Sequence, residues 1–212
     1  MSSIRTILFD LDGTLIDTNE LIIASFVHTF QHYGKEFTRE EIIEFNGPPL
    51  RETFENTYPD QVEEMIETYR EHNLYHHDNY VKLFPNVVET LERLKSENIQ
   101  LGIVTTKMRK TAEKGLKATG IEHFFDLIIA LDDVVHAKPH PEPVLKAMEQ
   151  FDAHPKTTLM VGDNPHDIKS GINAGVQTAA VAWTFKGKER LQAYNPTYML
   201  NDMEDLLKIV GV

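Results

Sequence analysis

The sequence predicts an α/β fold: a parallel sheet flanked by helices, with a small all-helical unit inserted after the first strand. Three observations carry this. Five short apolar runs rich in Ile, Val and Leu lack clean alternation, as strands covered on both faces do. Helical patterns separate them, and strand alternating with helix implies βαβ units in a parallel sheet. The alternation breaks once, from Glu20 to roughly Tyr80, where only amphipathic segments occur.

The strand-like runs are Ile4–Phe9, Leu101–Thr105, Leu127–Ala130, Thr158–Val161 and Thr178–Val181. In the helical pattern Asn86–Glu97, Val87, Leu91 and Leu94 share one stripe, and Thr111–Thr119, Pro143–Phe151 and Asp167–Ala174 behave similarly. The insert holds four amphipathic stretches: Leu21–Tyr33, Arg39–Phe45, Leu50–Thr57 and Gln61–His76. Within it "TREE" at Thr38 has the form of a capping box, with Glu41 reaching back. Gly47, Pro48 and Pro49 interrupt the next boundary, and the Met and Phe positions supply the insert's own core. The expected division is a core of 1–15 and 82–212 around a helical domain of 16–81. An insert rooted there lies at the carboxyl ends of the strands, where open α/β sheets bind ligands.

Composition narrows the class. The chain has 212 residues, 41% of them hydrophobic, enough for one core plus a small satellite. No apolar run approaches the length that spans a bilayer, and no secretory signal is visible, so a cytoplasmic location is expected. With no cysteine, disulfides and thiolate sites are excluded. A formal net charge of −12 argues against nucleic acid and anionic membranes as partners.

The sharpest feature is "ILFDLDGTLIDT", residues 7–18, where Asp10 and Asp12 stand at the end of the first run. Two carboxylates so close repel, and desolvation adds to the repulsion. The other runs end in kind: Thr105, Thr106 and Lys107 after the second, Asp132 and Asp133 towards Lys138 after the third, and Gly162, Asp163, Asn164 and Asp167 after the fourth. In a parallel sheet these groups share one rim. Such a cluster makes sense as an oxygen site for a hard cation such as Mg²⁺.

"DLDGT", a strand-ending threonine, the lysine of "KPHPEP", and "VGDNPHD" at a later strand end together resemble the haloacid dehalogenase superfamily of phosphohydrolases, in order and from end to end of the chain. "LIDTNELI" resembles the entry to the helical cap of its phosphoglycolate phosphatase and β-phosphoglucomutase branch. The resemblance implies a Rossmann-like core and a role for each matching residue. Asp10 is the nucleophile that forms an aspartyl-phosphate. Asp12 protonates the leaving oxygen and then takes a proton from water. Asp10, Asp163 and the backbone carbonyl of Asp12 hold Mg²⁺, and Asp167 acts through water or by orienting Lys138. Thr105 bonds a phosphoryl oxygen, Lys138 neutralises charge, and Gly13 permits the turn that presents amides to phosphate.

Substrate choice falls to the insert and its neighbouring loops. Arg51 sits where related caps carry a basic residue, Thr106 and Lys107 follow the rim threonine, and "VAWTFKGKERL" adds Lys186 and Lys188 after the fifth strand. "LIDTNELI", "FNGPPLRETF" and "AVAWTFKGKE" resemble a bacillal inorganic pyrophosphatase of this branch. That implies pyrophosphate as the small anionic substrate, with phosphoglycolate second and an inactive regulatory module the remote alternative. A monomer is the expected state. Asn164 is assigned no catalytic role, Gly187-Lys188 lacks the surroundings of a P-loop, and His76, His77 and Asp78 read as a solvated helix end.

Overall fold

The computed structural model of the protein describes residues 4–212. In chain order the strands are β1 (Thr6–Phe9), β2 (Ile16–Asp17), β3 (Lys82–Leu83), β4 (Gln100–Val104), β5 (Leu127–Ile129), β6 (Thr158–Gly162), β7 (Gln177–Val181) and β8 (Tyr198–Leu200). The helices are α1 (Asn19–His32), α2 (Arg39–Phe45), α3 (Leu50–Thr57), α4 (Val62–Tyr80), α5 (Val87–Ser96), α6 (Arg109–Ala118), α7 (Glu142–Phe151), α8 (Pro165–Asn173), α9 (Lys188–Gln192) and α10 (Asp205–Val210). Six strands form a parallel sheet in the order β5-β4-β1-β6-β7-β8. β1 is central, and the chain reverses its direction of winding there, so the ends of β1, β4 and β6 border one crevice.

Apolar residues line both faces of these strands, which is why their runs do not alternate with polar residues. Ile7 and Phe9 of β1 join Leu101, Ile103, Leu159 and Val161 on one face, under Val87, Leu91 and Leu94 of α5 and Leu116 of α6. Leu8 faces the other way with Val104 and Met160, under Val144 and Met148 of α7. The five expected strands correspond to β1, β4, β5, β6 and β7. The edge strand β8 is an addition: its three residues are too few to announce themselves as a run.

Helices α1–α4 form a unit with its own core, in which Phe26, Phe30, Phe54, Met65 and Tyr69 are buried together. Phe26 lies 4.8 Å from Tyr69 and 5.9 Å from Phe54, centroid to centroid. Such pairs add about 0.5–1.5 kcal/mol beyond the area they bury. The capping box at α2 forms as expected: Thr38 N donates to Glu41 Oε2 at 2.8 Å, and Glu41 N donates to Thr38 Oγ1 at 3.3 Å. The unit joins the sheet domain through a short antiparallel ribbon, Ile16 opposite Leu83 and Asp17 opposite Lys82.

One expectation fails at this junction. Helix α4 does not end near His76 but runs to Tyr80, and His77 is fully buried within it rather than solvated. The buried stripe Val62, Met65, Ile66, Tyr69, Asn73, His77 keeps helical spacing throughout. It merely turns polar at Asn73, so apolar periodicity stops marking it. His77 Nδ1 lies 2.9 Å from Asp78 Oδ1, and burial lowers the pKa of its ring against the opposing pull of Asp78.

Candidate active site

Asp10 follows β1 directly, and its backbone N–H donates to Val161 O at 2.8 Å, tying it to the neighbouring β6. Lys138, on the loop after β5, is 3% exposed. Its Nζ donates to Asp10 Oδ1 at 2.7 Å, to Asp167 Oδ1 at 2.6 Å and to Val104 O at 2.8 Å. All three hydrogens of the ammonium are thereby used. Burial works against its charge, but the contacts with Asp10 and Asp167 outweigh it and hold the lysine above its ordinary pKa.

The carboxylates are less well compensated. Burial pushes the Asp10 carboxyl up from 3.8 to about 7, with Lys138 opposing and Asp167 and Asp12 adding to the rise. Asp163 is raised well above the usual range by burial, then by Asp10 and Asp167. One carboxylate oxygen from each of Asp10, Asp163 and Asp167 lies within 4.8 Å of the others. Three buried carboxylates around one ammonium leave two negative charges in excess, the charge a hard divalent cation supplies. Asp167 has little to offer such an ion. Oδ1 accepts from Lys138 and Oδ2 accepts from Asn164 N at 2.9 Å. Its contacts tie the lysine to the start of α8.

Asp12 turns away from this cluster. Its Oδ1 accepts from Thr18 Oγ1 at 2.6 Å and from Lys107 Nζ at 2.8 Å. Gly13 allows the turn that follows Asp12: its φ is +80°, and a Cβ there would strike the Asp163 carboxylate. Thr105 is buried at the end of β4, and its Oγ1 accepts from Lys107 N at 3.1 Å, leaving its own hydrogen available.

Other expected members go elsewhere. Thr106 Oγ1 donates to Gly47 O at 3.3 Å, bridging to the helical unit. Arg51 is half-exposed and engaged by Glu63 at 2.6 Å and Glu55 at 3.6 Å, with no contact to the aspartates. Asp132 and Asp133 do not join the carboxylate cluster either. Asp132 Oδ1 accepts from Arg109 N at 2.8 Å, and Asp133 Oδ2 accepts from the Arg109 guanidinium at 2.5 Å.

Several residues here have structural parts that the sequence reading does not assign. Asn164 caps α8, accepting from His166 N at 3.2 Å, and its Nδ2 donates to Asn46 O of the helical unit at 3.2 Å. The signal was present: Asn, then Pro, then Asp three residues after the Asn is a helix start. Gly47 beside it has φ +117°, and a Cβ would strike the Asn164 amide, so the two units meet closely here. Thr184, after β7, donates to Asp163 O at 2.7 Å. No local pattern could reveal that bond.

A carboxylate directly after the central strand, a buried lysine against it and two further buried carboxylates meet at the sheet's switch point, where α/β hydrolases place their sites. The family described as haloacid dehalogenase-like hydrolase matches residues 7–181, and the chain belongs to it. Among its relatives, Pyrophosphatase PpaX of Oceanobacillus iheyensis is 59% identical over 209 residues, covering 99% of this chain and 98% of that protein. Pyrophosphatase PpaX of Anoxybacillus flavithermus is 56% identical over 211 residues, with 99% and 98% covered. Among solved structures, a haloacid dehalogenase-like hydrolase of Streptococcus pneumoniae superposes with a TM-score of 0.88 at 32% identity, covering 98% of this chain and 99% of that one.

Proposed function

We propose that this protein hydrolyses inorganic pyrophosphate to two phosphates with Mg²⁺, through an aspartyl-phosphate on Asp10. The observation that carries the chemistry is the Lys138 ammonium locked between Asp10 and Asp167, beneath carboxylates whose charge it cannot balance. The pyrophosphate assignment is supported by near-full-length likeness to proteins named Pyrophosphatase PpaX.

Asp10 and Asp163, with the Asp12 backbone carbonyl, would hold the metal. When bound, it supplies positive charge to the phosphoryl oxygens and to the crowded carboxylates. Lys138 opposes the rise that burial gives the Asp10 carboxyl and keeps it aimed, because its other hydrogens are held by Asp167 and Val104 O. The free Asp10 oxygen attacks phosphorus, and the bond to the departing phosphate oxygen breaks. Thr105 donates its hydroxyl hydrogen to an oxygen of the transferred group. Asp12 gives its proton to the leaving oxygen, and Lys107 and Thr18 then stabilise the carboxylate that results. In the second half Asp12 takes a proton from water as that water attacks phosphorus, freeing Asp10 and the second phosphate.

The helical unit, residues 16–81, would act as a cap that closes over the site and excludes water. The contacts of Gly47, Asn46 and Glu44 with the sheet domain support this. The deciding experiment measures phosphate release with Mg²⁺ from pyrophosphate and from phosphoglycolate, with Asp10→Ala as the blank. A kcat/KM at least tenfold higher for pyrophosphate, about 1.4 kcal/mol in the barrier, is the expected result. The reverse preference transfers the cap to phosphoglycolate, and activity no higher than the blank on either defeats the substrate reading, leaving a wider screen of small phosphates to decide between an enzyme and an inactive module.

A further inference from the structure

The cations around the site are nearly all matched by carboxylates. Lys138 holds Asp10 and Asp167, Lys107 holds Asp12, Arg190 holds Glu44, and Arg51 holds Glu63. Lys186 differs. Its Nζ donates to the backbone carbonyl of Glu44 at 3.3 Å, and among the described residues it forms no ion pair. The Glu44 carboxylate, its nearest acidic candidate on the helical unit, already accepts two bonds of 2.6 Å from Arg190.

The chain holds Lys186 in this position from both sides. Thr184 is buried and donates to Asp163 O at 2.7 Å, while the same hydroxyl oxygen accepts from Lys186 N at 3.3 Å. Lys186 is thus fixed, through one side chain, to the backbone of a carboxylate-cluster residue. Phe185 packs into the core of the helical unit, with Arg39 over its ring at 5.5 Å. The ammonium therefore stands at the seam between sheet domain and helical unit, half-buried and within the fields of Asp163 and Asp167. A half-buried cation held by one carbonyl and no carboxylate can exchange that carbonyl for an anion, because a cation bonds an anionic acceptor more strongly than a neutral one.

We propose that Lys186 binds the phosphate of pyrophosphate that is not transferred to Asp10, releasing the Glu44 carbonyl as it does so. The inference rests on the pyrophosphatase reading and adds to it the residue that distinguishes a two-phosphate substrate from a single phosphate. Thr105 and Lys138 serve the transferred group from the β4 and β5 side. Lys186 approaches from the β7 side, at the seam with the helical unit, and so meets the substrate from another direction.

The test pairs hydrolysis with binding. Wild type, Lys186→Met and Lys186→Arg are assayed for pyrophosphate hydrolysis with Mg²⁺. Calorimetry then measures binding of imidodiphosphate, a non-hydrolysable two-phosphate analogue, and of orthophosphate. Lys186→Met is expected to lower kcat/KM for pyrophosphate roughly thirtyfold, chiefly through KM. It should weaken imidodiphosphate at least tenfold and leave orthophosphate within about threefold, with Lys186→Arg recovering most of the loss. Equal weakening of both ligands shows a merely structural role and overturns the proposal, as does unchanged imidodiphosphate binding. A wild type inert towards pyrophosphate overturns the pyrophosphatase reading itself and this inference with it.

Discussion

Removing the metal makes the carboxylate cluster report on itself. Asp10 has a pKa of about 7 against 3.8 when unperturbed, because burial disfavours its charge. A carboxyl raised by folding binds more protons folded than unfolded, so metal-free stability falls as pH rises between those two values. From pH 5 to pH 8 the difference in bound protons integrates to nearly two pKa units, about 2.5 kcal/mol at 1.36 kcal/mol per unit. For a chain of this length that is roughly 5–10 °C in Tm. Buried histidines work in the opposite direction: burial lowers His72, His77 and His166, so their contribution grows as pH rises towards 6.5. None of the three belongs to the carboxylate cluster, so comparing each pH with and without metal subtracts most of their contribution. The assay is thermal unfolding in EDTA and in excess Mg²⁺ at pH 5, 6, 7 and 8. The Mg²⁺-induced rise in Tm should widen steadily with pH by about that amount. A rise that is flat, or that shrinks towards pH 8, would refute the view that burial of these carboxylates is what the cation relieves.

Other perturbations follow from the same geometry. Lys138→Ala leaves Asp10 and Asp167 buried without their partner and should destabilise the metal-free fold by about 3–5 kcal/mol, read by urea unfolding at pH 7. Gly13→Ala forces a side chain onto the Asp163 carboxylate at a φ of +80°; Mg²⁺ should then fail to raise Tm, and phosphate release should fall to that of Asp10→Ala. Phe54→Ala removes a fully buried ring from the helical unit and should cost about 3–5 kcal/mol, measured by denaturant unfolding.

Much of the fold was readable because its signals are local. The apolar run ending at Phe9 and the capping box at Thr38 each need only a few neighbouring residues, and α2 and α3 begin and end where their patterns do. Where a stripe turns polar but stays buried, as from Asn73 to His77, periodicity of hydrophobic residues loses it. The two-residue strands β2 and β3 have no pattern to read, since a ribbon that short exists only through its partner.

The candidate site divides in the same way. Asp10, Lys138 and Asp163 lie at strand ends or on the loops that leave them, and a parallel sheet brings such positions together whatever else the chain does. The destinations of surface charges depend on which distant residues compete for them. Arg51 on α3 pairs with Glu63 on α4, a contact that no local pattern announces. Asp132 and Asp133 share a rim with the site in sequence, yet Arg109 engages them first. Thr184 and Asn164 bind backbone groups on other segments, Asp163 O and Asn46 O, so their contribution belongs to the tertiary structure alone.

The ribbon of β2 and β3 brings the first and last residues of the helical unit side by side, although more than sixty positions separate them. To the sheet domain, the whole insert is therefore a detour that starts and finishes at one spot. Such a detour can be shortened, lengthened or replaced without re-registering a single strand of the sheet, because the chain closes over nearly the same gap each time. The two halves of the molecule are thereby free to change at different rates. A lineage can try new leaving groups by exchanging one continuous stretch of gene, while the carboxylate edge that would carry the reaction passes down untouched.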